Sequence, residues 1–157
     1  MASDAVPATC NASLRPGITG VVLTFNGTRL LEQCLSSLAF CDEILVVDSG
    51  STDSSLDIAA GHKARLAFHV WKGFDVQFRY AQTLVETRWF FILDQDELCP
   101  PSLGNLIREA ITGADGYADT PQTAAVAFSV GRKSWYFDRF MKHGGWYPDH
   151  ILRVFRT

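Results

Sequence analysis

No stretch of the chain approaches the roughly 18 to 20 consecutive apolar residues that cross a bilayer. Its first residues, Met1 to Pro16, carry neither a basic start nor an apolar run of signal-peptide length, so a spanning or exported protein is not expected. Cysteine is scarce. Cys10, Cys34, Cys41 and Cys99 are scattered with no close pair, which argues against a zinc site or a thiol-redox motif. They read as free thiols in a reducing cytoplasm, with Cys34 and Cys41 as core filler. An excess of basic charge is missing as well: 14 Lys plus Arg stand against 17 Asp plus Glu, leaving no broad basic surface for nucleic acid. Internal repeats and low-complexity segments are also absent.

What is present is hydrophobic material, 47% of 157 residues, enough for one sizeable core. After a small and polar tail, Met1 to Gly17, the run Ile18 to Phe25 is apolar on both faces and β-branched, as a buried parallel strand reads. Leu30, Leu31, Cys34, Leu35 and Leu38 then recur at helical spacing. A second apolar run, Ile44 to Val47, stops at Asp48 and the turn formers Ser49, Gly50 and Ser51. The alternation continues with a helix over 54–60, a strand over 64–70, a helix over 74–86 and a strand over 89–93. Pro100 and Pro101 suit the first turn of a further helix over 102–111, and 124–130 reads as another strand. Such alternation predicts an α/β fold in a single domain: an open, mainly parallel sheet with helices on both faces.

Open sheets of this class bind ligands beyond the carboxyl ends of their strands. Here strand one is followed by Thr24 and Asn26, strand two by Asp48-Ser49-Gly50-Ser51-Thr52-Asp53, and strand four by Asp94-Gln95-Asp96-Glu97. Asp94 and Asp96, two residues apart after an apolar strand, can share one hard divalent cation whose shell is completed by phosphate oxygens. An isolated Asp-x-Asp is more often a solvated turn. Asp48 can cap or shape the turn before the next helix, or accept the imide N–H of a uracil, with Gly50 letting the backbone approach a flat base.

The segments 22–26, 44–53, 71–74, 92–97 and 144–149 occur in this order in family 2 glycosyltransferases, and the chain resembles them from about Ile18 to Arg156. It looks most like the bacterial branch that includes lipopolysaccharide core β-1,4-glucosyltransferases. The resemblance implies the GT-A (Rossmann-like) fold, with residues 18–157 as the nucleotide-sugar-binding domain. It also implies roles: Thr24 and Asn26 as the first nucleotide-contacting loop, Asp48 as the residue that recognises the base, and Asp94 and Asp96 as the pair handling ribose and metal diphosphate. Arg79 stands where this branch more often has Asn, although related transferases place a nucleotide-contacting Arg there; an exposed helix Arg is the alternative. Two further positions depart from the pattern: Gly27 follows Asn26 where Glu is common, and Gln95 replaces a small Ala.

Trp146 and Tyr147, in 143–149, fall on the family's acceptor side, where they could stack on a sugar ring or pack at a sheet edge. The implied reaction is a single inverting displacement at the anomeric carbon, with Mg²⁺ or Mn²⁺ steadying the leaving diphosphate and a base deprotonating the acceptor hydroxyl. The family's base follows the strand corresponding to Leu152–Phe155, which implies a base beyond Thr157 and a chain cut short on its acceptor side. Asp149 is then the late carboxylate able to substitute, and His143 a further proton acceptor. The expected partners are a nucleotide-diphosphate sugar, a UDP-hexose first among them, and a glycan or lipid-linked glycan such as lipopolysaccharide core. The expected place is the cytoplasm, with peripheral contact at the inner face of the cytoplasmic membrane open. Two rivals stand beside this reading: a non-catalytic or truncated nucleotide-sugar-binding module, and a nucleotidyltransferase. The latter usually has a Gly-rich basic loop after strand one, where this chain has Thr24-Phe25-Asn26-Gly27-Thr28-Arg29.

Overall fold

A computed structural model describes residues 14–116 and 125–157. The elements run β1 (Arg15–Thr24), α1 (Leu31–Ser37), β2 (Glu43–Asp48), α2 (Ser55–Gly61), β3 (Arg65–Phe68), α3 (Phe74–Leu84), β4 (Thr87–Asp94), α4 (Pro101–Gly116), β5 (Ala127–Arg132), β6 (Trp135–Tyr136), β7 (Arg139–Phe140) and β8 (Asp149–Arg156). Six strands form one sheet in the order β3-β2-β1-β4-β8-β5. β1 to β4 are parallel, and β8 runs antiparallel to both β4 and β5, so β5 points the same way as the first four. The mainly parallel sheet expected from the alternation is what forms.

The burial pattern explains why both strand faces are apolar. On one face Ile18, Val22, Val46, Phe91 and Leu93 meet Leu31, Cys34 and Leu35 of α1, Ala59 of α2, and Ile107 and Ile111 of α4. On the other, Val21, Leu23, Leu45, Val47, Phe90 and Ile92 meet Ala81 of α3 and Val85. Each such side chain fully removed from water contributes roughly 1.5–3 kcal/mol. Cys34 and Cys99 are buried and Cys41 is half-buried, all three as free thiols. Burial pushes the Cys34 and Cys99 thiols up to about 12 and about 11, and the Cys41 thiol upward too, so they act as small apolar filler. Cys10 lies outside the described residues. No described helix is long and apolar enough to cross a membrane.

The structure departs from the sequence reading at several boundaries. α3 ends at Leu84 rather than Glu86, because Val85 is already extended (φ −71°, ψ 130°). α4 runs on to Gly116, past Ile111, with Ala114 still buried. β5 begins at Ala127, and Ala124, where that strand was expected to start, lies outside the described residues. The run 152–155 is the middle of a longer strand whose first residue is Asp149. The β6–β7 hairpin had no counterpart in the sequence reading.

Candidate functional site

The carboxyl ends of β2, β1 and β4 are neighbours, and the register sets Thr24 opposite Asp48 and Leu23 opposite Asp94. Thr24, Asn26, Asp48, Asp94 and Asp96 are thereby brought to one rim, as the sequence implied.

Asp48 is only 4% exposed, which a carboxylate tolerates when its oxygens are bonded. Its Oδ2 accepts the Gly50 and Ser51 N–H groups at 2.8 and 3.1 Å, and its Oδ1 accepts the Ser51 hydroxyl at 2.5 Å. This is the turn-forming role of a short carboxylate after a strand, and Gly50 completes it in the left-handed region at φ +104°. A base N–H would have to be accepted beside these bonds or in place of the Ser51 hydroxyl.

Asn26 has φ +49°, a conformation Asn tolerates better than most residues. Its Oδ1 accepts the Thr52 N–H at 2.9 Å, and its own N–H donates to Ser51 Oγ at 2.9 Å. The Gly27 N–H donates to Ser55 Oγ at 2.8 Å. The β1–α1 and β2–α2 loops are thus bound to each other by side chain–backbone bonds. The β4 end joins them through Gln95, whose Oε1 accepts the Thr24 hydroxyl at 2.7 Å and the Phe25 N–H at 3.0 Å.

The paired aspartates are in different states. Asp94 Oδ2 accepts Arg153 Nη2 at 2.9 Å, and the same nitrogen donates to Glu97 Oε2 at 2.6 Å. Arg153 is 8% exposed, so these carboxylates are what makes its burial tolerable. Burial pushes the Glu97 carboxyl above its ordinary value; Arg153 opposes that and neighbouring Asp94 adds to it. Asp96 is exposed, and among the described residues it has no ion-pair partner, which leaves its oxygens available to a cation. Among the described residues no three His, Cys, Asp or Glu side chains converge as a self-sufficient metal site. An ion held by Asp96 and the remaining oxygen of Asp94 would therefore need a ligand's phosphates, a donor set that suits Mg²⁺.

A polar hollow of about 120 Å³ opens beside Asp96, lined also by Asn26, Gly27, Arg29, Leu30 and Gln95. Arg79 is exposed on α3 and lines a different, largely apolar hollow of about 270 Å³ with Phe78, Phe90, Ile92 and Phe155. Thr24, Asn26, Asp48, Asp94 and Asp96 do not line that hollow. Of the rim residues, Asn26 and Asp96 line the smaller one.

Trp146 and Tyr147 are exposed rather than packed into the core, at 51% and 43%. The Tyr147 ring meets Phe140 edge-on at 5.2 Å between centroids. Asp149 opens β8, and its Oδ2 receives Arg132 Nε at 2.9 Å and Nη2 at 2.7 Å. His143 is exposed. Thr157, beyond which the resemblance implied the base, is not brought to the rim. It follows β8 at the opposite end of the sheet, where its N–H donates to the Arg88 carbonyl at 3.0 Å, because antiparallel pairing carries β8 away from Asp94 towards the start of β4. Of the late residues it is therefore Asp149, at the start of β8, that the pairing leaves on the rim side. Sequence reasoning gave no role to Ser55 or Arg153, took Ser51 only as a turn former, and met Arg29 only as part of the loop after strand one. Arg153 had a signal: a charge inside the apolar run Ile151 to Phe155 needs a buried partner.

The profile of a family described as Glycosyl transferase family 2 matches residues 20–152. Among similar proteins, a lipopolysaccharide core biosynthesis glycosyltransferase, LpsC, of Rhizobium meliloti is 30% identical over 103 residues, 62% of this chain and 38% of that protein. An uncharacterized glycosyltransferase of Rickettsia bellii is 32% identical over 81 residues, 51% of this chain and 28% of its own length. The chain thus spans about a third of the relatives it matches. Among solved structures, S. aureus TarS 1–349 in complex with UDP-GlcNAc has a TM-score of 0.52 and 22% identity, covering 64% of this chain and 31% of that one, a likeness of fold.

Proposed function

This chain belongs to glycosyl transferase family 2, and from that premise we propose that its rim binds a nucleotide-diphosphate sugar, a UDP-hexose, together with Mg²⁺ or Mn²⁺. The sugar passes with inversion to a glycan acceptor such as lipopolysaccharide core. The observation that carries this reading is the gathering of Thr24, Asn26, Asp48, Asp94 and Asp96 at three adjacent strand ends. The fold likeness to TarS, itself solved with UDP-GlcNAc, and the likeness to LpsC support the donor and the acceptor class.

In this reading Asp96 and the free oxygen of Asp94 hold the cation, while Arg153, bonded to the other oxygen, holds Asp94 in place at the rim. When bound, the cation supplies Lewis-acid stabilisation of the leaving diphosphate. The turn around Asp48 and Gly50 presents a flat surface to the base. Trp146 and Tyr147 face the acceptor, and Asp149 is the base candidate on this chain, oriented by Arg132. A carboxylate already held by a guanidinium also suits the second reading, a donor-binding module without transfer.

A ligand that binds only the folded state stabilises it by about 2.7 kcal/mol at a hundredfold excess over its dissociation constant. UDP-hexose should therefore raise the melting temperature with Mg²⁺ or Mn²⁺ and lose that effect in chelator. An equal rise with chelator present contradicts the metal role. Transfer to a core glycan that disappears in Asp149→Asn, with donor binding intact, selects the enzyme over the module.

A further inference from the structure

Gln95 lies between the two rim aspartates yet points back across the rim. Its Oε1 accepts the Thr24 hydroxyl at 2.7 Å and the Phe25 N–H at 3.0 Å, and its Nε2 donates to the Phe25 carbonyl at 3.3 Å. Both polar groups of the Phe25 residue are thus read by one side-chain amide, much as a neighbouring strand would read them. The amide reaches this position because Gly27 has no side chain. A β-carbon at residue 27 would collide with Gln95 Oε1 and lie 2.9 Å from its Cδ. Gly27 is not among the residues with positive φ, so its backbone does not require glycine; its neighbour does.

We propose that Gln95 is a positioning residue and Gly27 its socket, a matched pair that locks the β1–α1 loop against the carboxylates at the end of β4. The proposal rests on the donor-binding reading of the rim and adds a device to it. With the latch closed, Asn26 and Phe25 on one side and Asp94 and Asp96 on the other are held at fixed spacing. Of these, Asn26 and Asp96 line the 120 Å³ hollow together with Gly27 and Gln95. A diphosphate spanning loop and cation meets groups already in place, so it does not bear the cost of ordering them. Gln95 touches the loop rather than the reacting atoms.

A double-variant cycle on the whole chain tests the pair. Gln95→Ala removes the three bonds and should weaken UDP, measured by calorimetry with Mn²⁺, about tenfold while the ligand-free melting temperature stays within about 2 °C. Gly27→Ala drives a methyl into the amide and should weaken UDP at least tenfold; overpacking of this kind forces a neighbour aside. Thr24 Oγ1, 3.0 Å from the same methyl, is tight but can give a few tenths of an ångström. The combined variant should bind within about threefold of Gln95→Ala alone, because the alanine then meets only the Thr24 hydroxyl, which can give way. Losses that multiply to about a hundredfold, or single variants that bind like the parent, overturn the latch. Hydrogen exchange of the Phe25 amide in ligand-free protein is the second readout: slow in the parent, fast in both single variants. If the parent itself fails to bind UDP with cation, the donor reading falls, and the exchange pattern alone decides whether the pair locks the loop; an unchanged Phe25 rate in Gln95→Ala rejects it.

Discussion

Where β1, β2 and β4 end, three loops are held by side chains that bond backbone: Asp48 on Gly50 and Ser51, Asn26 on Thr52, Ser55 on Gly27, and Gln95 on Phe25. Where β5 ends and β8 begins, the chain makes a hairpin of two-residue strands and leaves Trp135, Tyr136, Phe137, Trp146 and Tyr147 exposed. The two regions share a rim, since Arg132 pairs with Asp149 at the same end of the sheet as Thr24 and Asp94. Their difference shows two ways of meeting a ligand. The first region is preorganised for something polar and fixed in shape, while the second offers exposed ring faces whose apolar area is large.

The largest expected effect lies at the border between them. Arg153→Met leaves Asp94 without its cation and Glu97 with only the more distant Arg132, at 3.9 Å, and should cost about 2–3 kcal/mol in urea unfolding. That is below the roughly 3–5 kcal/mol of a fully buried pair, because the Asp94 side chain stays 35% exposed. A loss under about 0.5 kcal/mol would mean that the polar half does not depend on β8.

Next comes Asp48→Ala, which should weaken UDP by about 1.5–3 kcal/mol, the range for hydrogen bonds to a charged group. Calorimetry with UDP and ADP sharpens the cause. Equal losses for both nucleotides assign the effect to the collapsed turn, and a loss confined to UDP assigns it to a base contact.

A smaller effect separates Glu97 from its neighbours by pH. Burial holds its folded-state pKa above 4.5, so the folded chain binds the proton more readily than the unfolded one. By linkage, stability is then lost as pH rises from about 4.5 through the raised value. Glu97→Gln should flatten that slope in melting curves from pH 4 to 7, and an unchanged slope assigns it to other groups. The smallest effects belong to the aromatic half: Trp146→Ala and Tyr147→Ala should change stability by no more than about 0.5 kcal/mol and leave UDP binding intact. A larger loss in either would show that these rings are structural after all.

The regions were also unequally legible in the sequence. The three strand ends could be read because their signals are local: β-branched runs stopped by Asp, Asn, Gly and Ser. The hairpin could not, since two-residue strands carry no periodicity and Phe137, at φ +55°, is not a turn former by type. Which strand Arg153 would join was hidden too, because pairing between β4 and β8 is set by tertiary packing. The same pairing decides that Asp149 rather than Thr157 stands on the rim side, which no local signal announces. Gly27 and Gln95 were both visible as departures from the family's pattern, yet only the fold reveals them as one contact.

The central claim, that a cation and a nucleotide diphosphate meet at the ends of β1, β2 and β4, can be tested with Mn²⁺ as a paramagnetic probe. With Mn²⁺ and UDP together, the amide resonances of Asn26, Gly50, Gln95 and Asp96 should broaden strongly, those of 135–142 should not, and Mn²⁺ alone should do far less. Broadening centred on the aromatic half, or strong broadening at the rim that ignores UDP, would contradict the account.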